Sequence, residues 1–447
     1  MSKVFRPYDP EQIFLMPAAL QDWLPKDHLA YFISDVVDHL DLSTIMDRYE
    51  EERGYPPYHP AMMVKVLLYA YCIGVPSSRK IAKRLEEDIA FRVLAANNTP
   101  DFRTIADFRK EHLAALAALF VQVLKLCQKA GLVKLGHVSI DGTKIKANAS
   151  KHKAMSYKRM QEEEARLAAE IKALLRQAEA ADEEEDKRYG KNKRGDELPK
   201  ELAFRESRLK KIREARAALE AEARAEAERD QGNKKLTGVP EDKKQRNFTD
   251  PESHIMPVSG GKQFEQAYNA QAAVDSAHQI IVAAEVTDQP SDKGQATPMI
   301  QQVEENTGRL PREMSADAGY FSSDEVKGLS ADGIDVYMPP DRMHHTDKMA
   351  AAPRGRIPNN LSIADRMRRK LRTKRGKQRY GLRKELPEPV FGQIKQARGF
   401  RQFLLRGKEK VSGEWRFICA GHNVLKLFGA RKAGLVRQRF WAELSAA

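Results

Sequence analysis

Between Phe264 and Met338 the hydrophobic period switches back and forth, and that alternation restricts the fold more than any other feature of the chain. Phe264 to Asp275 and Gln279 to Val286 are runs rich in Val, Ile and Ala, separated by Ser276-Ala277-His278, a hairpin signature. Helical spacing follows from Gly294 to Thr307, then a short strand from Glu313 to Asp317. A helix from Ser322 to Leu329, started by Ser322 or Ser323, leads to a last strand from Ile334 to Met338. Hairpin, helix, strand, helix, strand specifies an α/β domain, a mixed sheet with helices on its faces. Val138 to Ala147 supplies one more strand, or a strand pair, upstream.

The flanking sequence is helical. In residues 1–130, Asp27 to Val37, Pro60 to Ile73, Ser77 to Glu86 and Thr104 to Cys127 carry apolar residues at three- and four-residue spacing, which predicts an all-α N-terminal domain. Ser77-Ser78-Arg79-Lys80 reads as a capped helix start with Arg79 and Lys80 in its first turns, and a second capped start follows Thr99-Pro100-Asp101. A helix-turn-helix variant entering a DNA groove and a plain bundle both fit this pattern. Residues 155–232 are rich in Ala, Glu, Lys and Arg. Leu167, Ile171, Leu174 and Ala178, then Leu202, Leu209, Ile212, Ala215 and Leu219, form two narrow stripes on either side of Tyr189 to Gly195. They predict an inserted antiparallel helical hairpin, with a charged linker as the alternative. The expected division is 1–130 helical, 131–154 first part of the sheet domain, 155–232 insertion, 233–430 remainder of the sheet domain, and 431–447 tail.

Charge is unevenly distributed. The net +14 comprises 25 Lys and Arg against 6 Asp and Glu from Pro353 onward, and 52 against 57 before it. A basic C-terminal part interleaved with Tyr380, Phe391, Phe400, Phe403, Trp415 and Phe417 suits a polyanionic partner better than a solvated tail does. Three widely spaced cysteines, Cys72, Cys127 and Cys419, fit neither a disulfide framework nor a structural zinc site, and point to a reducing, cytoplasmic setting. The apolar windows at Met62–Val75 and Leu113–Cys127 are too short to span a bilayer, so no membrane partner is expected.

Three carboxylates stand in contexts that suit metal ligands. Asp141 ends the apolar run Val138-Ser139-Ile140, Asp317 closes Met314-Ser315-Ala316, and Glu388 opens a helix-like run to Lys395. Seven residues separate Glu388 from Lys395, almost two helical turns or about 10 Å of rise, which sets them on one face. Pro387 and Pro389 suit a sharp helix start with an acid at the positive end of the dipole. Asp288 and Asp292, after the hairpin, are the alternates for the second acid. Hard oxygen ligands select Mg²⁺, with Mn²⁺ as a substitute. No nucleotide-phosphate loop of the Gly-x4-Gly-Lys kind occurs, so no nucleotide cofactor is expected, and His152, His344 and His345 read as loop residues.

Tyr380-x2-Arg383 and Glu388-x6-Lys395, together with Ile140-Asp141-Gly142-Thr143 and Ala316-Asp317-Ala318-Gly319-Tyr320, resemble the signatures of DDE transposases from bacterial insertion sequences. One departure is that four residues, not three, separate Arg383 from Glu388. The resemblance implies an RNase H-like catalytic domain in which Asp141, Asp317 and Glu388 hold two ions for in-line displacement at phosphorus. It further implies DNA contacts from Tyr380, Arg383, Lys395 and Arg398, with Arg79 and Lys80 on the N-terminal helices. The partners implied are double-stranded DNA, as terminal inverted repeats and as target, and a second copy of the chain. A DNA-binding regulator without catalysis and an RNase H-like nuclease without strand transfer are the alternatives.

Overall fold

A computed structural model describes residues 19–49, 57–189, 200–229, 237–258, 263–342 and 360–436, with isolated positions 355, 358 and 440. His344, His345, the centre of the insertion's predicted turn and most of the 431–447 segment lie outside these residues. The N-terminal part holds α1 (Leu29–Asp38), α2 (Ser43–Met46), α3 (Pro60–Cys72), α4 (Ser78–Glu87), α5 (Ile89–Leu94), α6 (Phe102–Glu111) and α7 (Leu113–Lys129). Where the spacing predicts one helix from Thr104 to Cys127, the chain breaks at His112 and the two halves cross at 71°. The bend has a packing cause. Arg109 of α6 is buried and donates to the Pro76 carbonyl (2.7 Å) and the Ser78 hydroxyl (3.2 Å), which ties α6 to the start of α4, while α7 packs elsewhere. Ser77 makes no side-chain cap, but Asp101 accepts from the Thr104 amide at 2.7 Å. No single described helix is long and apolar enough to cross a membrane.

Eight strands follow among the described residues: β1 (His137–Lys146), β2 (Ala154–Ser156), β3 (Gln245–Asn247), β4 (His254–Val258), β5 (Gln263–Asp275), β6 (Ile281–Thr287), β7 (Glu313–Ser315) and β8 (Asp335–Tyr337). The main sheet runs β6–β5–β1–β7–β8, antiparallel across the first three strands and parallel across the last three, with β4 on the outer half of β5. This is the expected mixed sheet of the RNase H-like kind, with β1 at its centre.

Between β2 and β3 the chain makes α8 (Tyr157–Tyr189) and α9 (Lys200–Arg229), the inserted hairpin. It has its own small core of Met160, Leu167, Leu209, Ile212 and Leu219, as the two stripes predict. The remaining helices are α10 (Ala296–Thr307), α11 (Ser323–Ala331), α12 (Ile363–Arg372), α13 (Lys374–Glu385), α14 (Pro387–Gly392) and α15 (Lys408–Lys432). In α15 the apolar residues that interleave the basic ones, Trp415, Phe417, Ile418, Val424 and Leu427, are fully buried, and the helix packs on α3, α7 and β6. One continuous apolar core therefore joins the N-terminal helices to the sheet.

Candidate active site

Strand register brings the first two acids together. The parallel pairing of β1 and β7 matches Ser139 with Ser315; two residues further on, Asp141 in the middle of β1 and Asp317 just past the end of β7 stand near enough for their charges to interact. Side chains alternate along a strand, and one face of this pair is a polar ladder. His137 Nε2 lies 2.9 Å from Ser315 Oγ, His137 Nδ1 lies 3.4 Å from Glu313 Oε2, and the Ser315 hydroxyl meets Ser139 Oγ at 3.1 Å. Asp141 continues the row of His137 and Ser139, and Asp317 that of Glu313 and Ser315.

Local hydrogen bonds fix both carboxylates. Asp141 Oδ1 accepts from the Gly142 amide at 2.9 Å, and Asp317 Oδ1 caps a single 3₁₀ turn, Ala318–Tyr320, through the Gly319 amide at 2.7 Å. Burial raises the Asp141 carboxyl to about 7; the charges of Asp317 and Asp292 add to the effect, while the Gly142 amide and Arg383 oppose it. Like charges gathered this way call for a cation.

Helix α13 lies over the ladder. Arg375, Arg379 and Arg383 follow one another at four-residue spacing and so share a helix face. Arg375 and Arg379 pair with buried Glu313 at 2.7 and 2.8 Å, and Arg383 reaches the electrostatic neighbourhood of Asp141. Tyr380 lies under the Arg383 guanidinium, 5.5 Å from ring centroid to carbon. Burial raises its phenol, Arg383 opposes that shift, and Asp317 and Asp141 add to it. Both signature residues of α13 thus stand beside the aspartates.

Three expected residues have different surroundings. Glu388 is exposed at the first turn of α14, and among the described residues no three His, Cys, Asp or Glu side chains converge tightly enough to enclose a metal ion. Lys395 stands in a π-helical segment, Gln393–Ala397, that continues α14 and widens the helix, so the straight two-turn relation to Glu388 does not hold. Its ammonium donates to Thr143 Oγ1 (3.0 Å) and the Lys144 carbonyl (3.1 Å), bracing β1. Arg398 corrects the expectation of a DNA contact. It is 8% exposed and donates to the Ile418 carbonyl at 3.3 Å, with Phe400 and Gly421 alongside. A guanidinium buried there ties the end of the α14 segment to α15 and cannot touch a phosphate.

Asp292, an alternate by sequence for the second acid, acts electrostatically on Asp141 as Asp317 does. Its Oδ1 accepts from Asn269 Nδ2 (2.6 Å) and Gln271 Nε2 (2.8 Å), with Lys144 Nζ at 3.4 Å. Tyr320 donates to Gln271 Oε1 and is fully buried. Tyr268, on the same strand, donates to Asp250 at 2.8 Å, and Asp288 pairs with Lys408 at 3.4 Å. On the N-terminal helices, Arg79 and Lys80 are exposed, and Arg79 and Arg103 both lie over the ring of Phe102, at 5.1 and 5.7 Å.

Residues 18–111, covering α1 to α6, match the family model described as Transposase domain (DUF772). Residues 351–428, which include Tyr380, Arg383, Glu388 and Lys395, match the Transposase DDE domain. Comparisons with curated proteins and with solved structures find no match. Two transposase models thus match at the two ends of the chain, on either side of an RNase H-like sheet with paired aspartates: the chain is similar to transposases in its N-terminal helices and to the transposase DDE domain in its C-terminal part.

Proposed function

We propose that this chain is a transposase that binds the ends of its element and carries out divalent-metal-dependent strand cleavage and strand transfer. The observation supporting this reading is the pairing of β1 with β7 up to Ser139 and Ser315, two residues short of Asp141 and Asp317, whose charges act on each other and, with that of Arg383, on Tyr380. The donor set suits Mg²⁺, or Mn²⁺ in its place: carboxylate oxygens, partly buried, with mutual repulsion that Arg383 only partly offsets. Asp141 and Asp317 would hold the metal, and we assign Glu388, from the exposed start of α14, as the third ligand. Divalent ions bound there supply charge relief at phosphorus and a more acidic water or 3′ hydroxyl.

The chain's own groups do the positioning. Backbone amides of Gly142 and Gly319 hold the two carboxylates in place before substrate arrives, which lowers the reorganisation required. Arg383 and Tyr380 offer a guanidinium and a hydroxyl to the DNA backbone beside the reacting phosphate. Lys395 keeps Thr143 and the end of β1 in register. On the N-terminal helices, Arg79, Lys80 and the arginine-flanked Phe102 form an exposed basic surface for end DNA. Pairing of two ends would require two copies of the chain, and a bacterial cytoplasm supplies the setting.

The test is a nicking and joining assay on end DNA with Mg²⁺. Asp141→Ala, Asp317→Ala and Glu388→Ala should each lose cleavage while retaining end binding. A variant that still nicks removes its residue from the site. Cleavage without joining to target DNA would favour the nuclease alternative, and binding without any product the regulator.

A further inference from the structure

Gly142 and Gly319 mark a small pocket beside the aspartate pair. A side-chain carbon built at Gly142 would collide with Gln271 Nε2 and would stand 2.7 Å from both Asn269 Oδ1 and Asp292 Oδ1. One built at Gly319 would stand 2.9 Å from Asp317 Oδ1 and 3.5 Å from Asp292 Oδ2. Asp292 therefore fills the space that the two glycines leave open, between the residue after Asp141 and the turn that Asp317 caps.

The two oxygens of Asp292 have different surroundings. Oδ1 is held by the amides of Asn269 and Gln271, both almost wholly buried, with Lys144 nearby. Oδ2 is directed at the Gly319 turn. Asn269 Oδ1, on a side chain with no solvent exposure, has no hydrogen-bond partner among the described residues and faces the space above Gly142, beside Asp292 Oδ1. A buried carbonyl oxygen without a donor costs roughly 1–3 kcal/mol. A water of the ion's shell donating to that oxygen would satisfy it.

We propose that Asp292 is a further carboxylate of the metal site, anchored through Oδ1 and acting through Oδ2 on the water shell of the ion that Asp141 and Asp317 hold. The inference rests on the metal-dependent reading above. Outer-shell groups of this kind change metal affinity by about 10–100-fold when replaced. Asp292 positions the hydrated ion and touches no DNA.

Asp292→Asn isolates the role, because its amide oxygen can still accept from Asn269 and Gln271 while the charge at Oδ2 disappears. Mn²⁺ binding to the DNA-free protein is read by electron paramagnetic resonance, with a thermal melt confirming that each variant folds. Asp292→Asn should weaken Mn²⁺ binding about 10-fold or more, and Asp292→Glu, which keeps the charge, should recover part of it. Nicking should need correspondingly more Mg²⁺. Wild-type Mn²⁺ affinity in Asp292→Asn, next to an Asp141→Asn protein that has lost it, would overturn the proposal alone. A wild-type protein that binds no Mn²⁺ would overturn the proposal together with the reading beneath it. Should Asp292→Asn fail to fold, the same titration on Asp292→Glu decides: unchanged affinity refutes the role and weakened affinity supports it.

Discussion

Gly142→Ala adds a single methyl group at the crossing point of the site's polar contacts. The backbone there does not need glycine, since Gly142 is absent from the positive-φ residues of the described chain. Its cost is therefore steric and electrostatic. The new carbon would overlap Gln271 Nε2 and lie 2.7 Å from Asn269 Oδ1 and Asp292 Oδ1, so at least one amide must swing away. Overfilling a packed site costs about 1–3 kcal/mol. Losing one amide hydrogen bond to the Asp292 carboxylate adds about 1.5–3 kcal/mol. Together these give about 4 kcal/mol, with little room to relax because Asn269 and Gln271 sit in the middle of the sheet under Trp415, whose indole donates to the Gln271 carbonyl at 2.9 Å. A whole-chain melt blurs such a local effect in a protein of this size. Amide hydrogen exchange in β1 and β5 is the better assay, where about 4 kcal/mol corresponds to roughly 10³-fold faster exchange if those strands open locally. Protection within about threefold of wild type, a difference near 0.6 kcal/mol by the same relation, would show that the crowding at Gly142 is not real, and with it the placement of Asp292.

Gly328→Ala is the contrasting change: it lies inside α11 with nothing within 4 Å of the added carbon, and should stabilise the protein by about 0.5–1 kcal/mol in urea unfolding. Glu313→Gln removes the buried charge that Arg375 and Arg379 grip, and should loosen α13 and slow cleavage severalfold while end binding persists; equal cleavage rates would detach α13 from the site. The raised Asp141 carboxyl sets a pH dependence in metal-free protein. The folded state holds a proton that the unfolded chain has released above about 4, so stability falls as pH rises from about 4 through about 7, by at most about 4 kcal/mol and less where solvent reaches the group. Melting in chelator across that range should show the decline, and Asp141→Asn should flatten it.

The parts of the fold that the sequence announces are those with a clean period. β5, β6, α10, β7, α11 and β8 all stand within a few residues of their predicted bounds, because alternation and three-to-four spacing report directly on which side is buried. Asp141 and Asp317 stand out in the sequence for the same reason: each ends an apolar run. Asp292 appears there only as an alternate beside Asp288, since a loop aspartate carries no periodic signal and its place depends on two glycines distant in the chain. The arginine row at 375, 379 and 383 had a readable spacing, but on a helix this basic, spacing cannot say which charges meet a buried acid. Arg398 is similar: Lys395 and the exposed Arg401 lie near it in sequence, while its partners, the Ile418 carbonyl and the Phe400 ring, are found only in the packed structure.

These pairings bear on how the protein holds DNA. The sequence assigns a basic excess to the last part of the chain and a slight acidic excess to the rest, which suggests that the C-terminal charge faces a polyanion. In the structure much of it faces the protein's own acids. Arg375 and Arg379 are held by Glu313, Arg368 by Asp341, Arg416 by Glu285, Lys408 by Asp288, Arg431 by Asp35 and Lys432 by Asp27. Of those six acids, Glu285 and Glu313 lie on the sheet, Asp288 and Asp341 follow β6 and β8, Asp35 is on α1 and Asp27 just before it, so part of the charge asymmetry docks α13 and α15 onto the earlier elements. Exposed pairs of this kind contribute little stability each, but they reduce the charge free to displace counterions. Because each phosphate neutralised contributes about 0.9 to the slope of log affinity against log salt, the count of C-terminal Lys and Arg overstates that slope. A salt titration of end binding should therefore give a slope well below the 25 basic residues of that segment. Replacing Arg375, Arg416 or Lys432 should leave the slope nearly unchanged, while replacing Arg79 or Lys80 should lower it by about one each. The opposite pattern would place the DNA on the C-terminal face and return Arg79 and Lys80 to the solvated surface of a helical bundle.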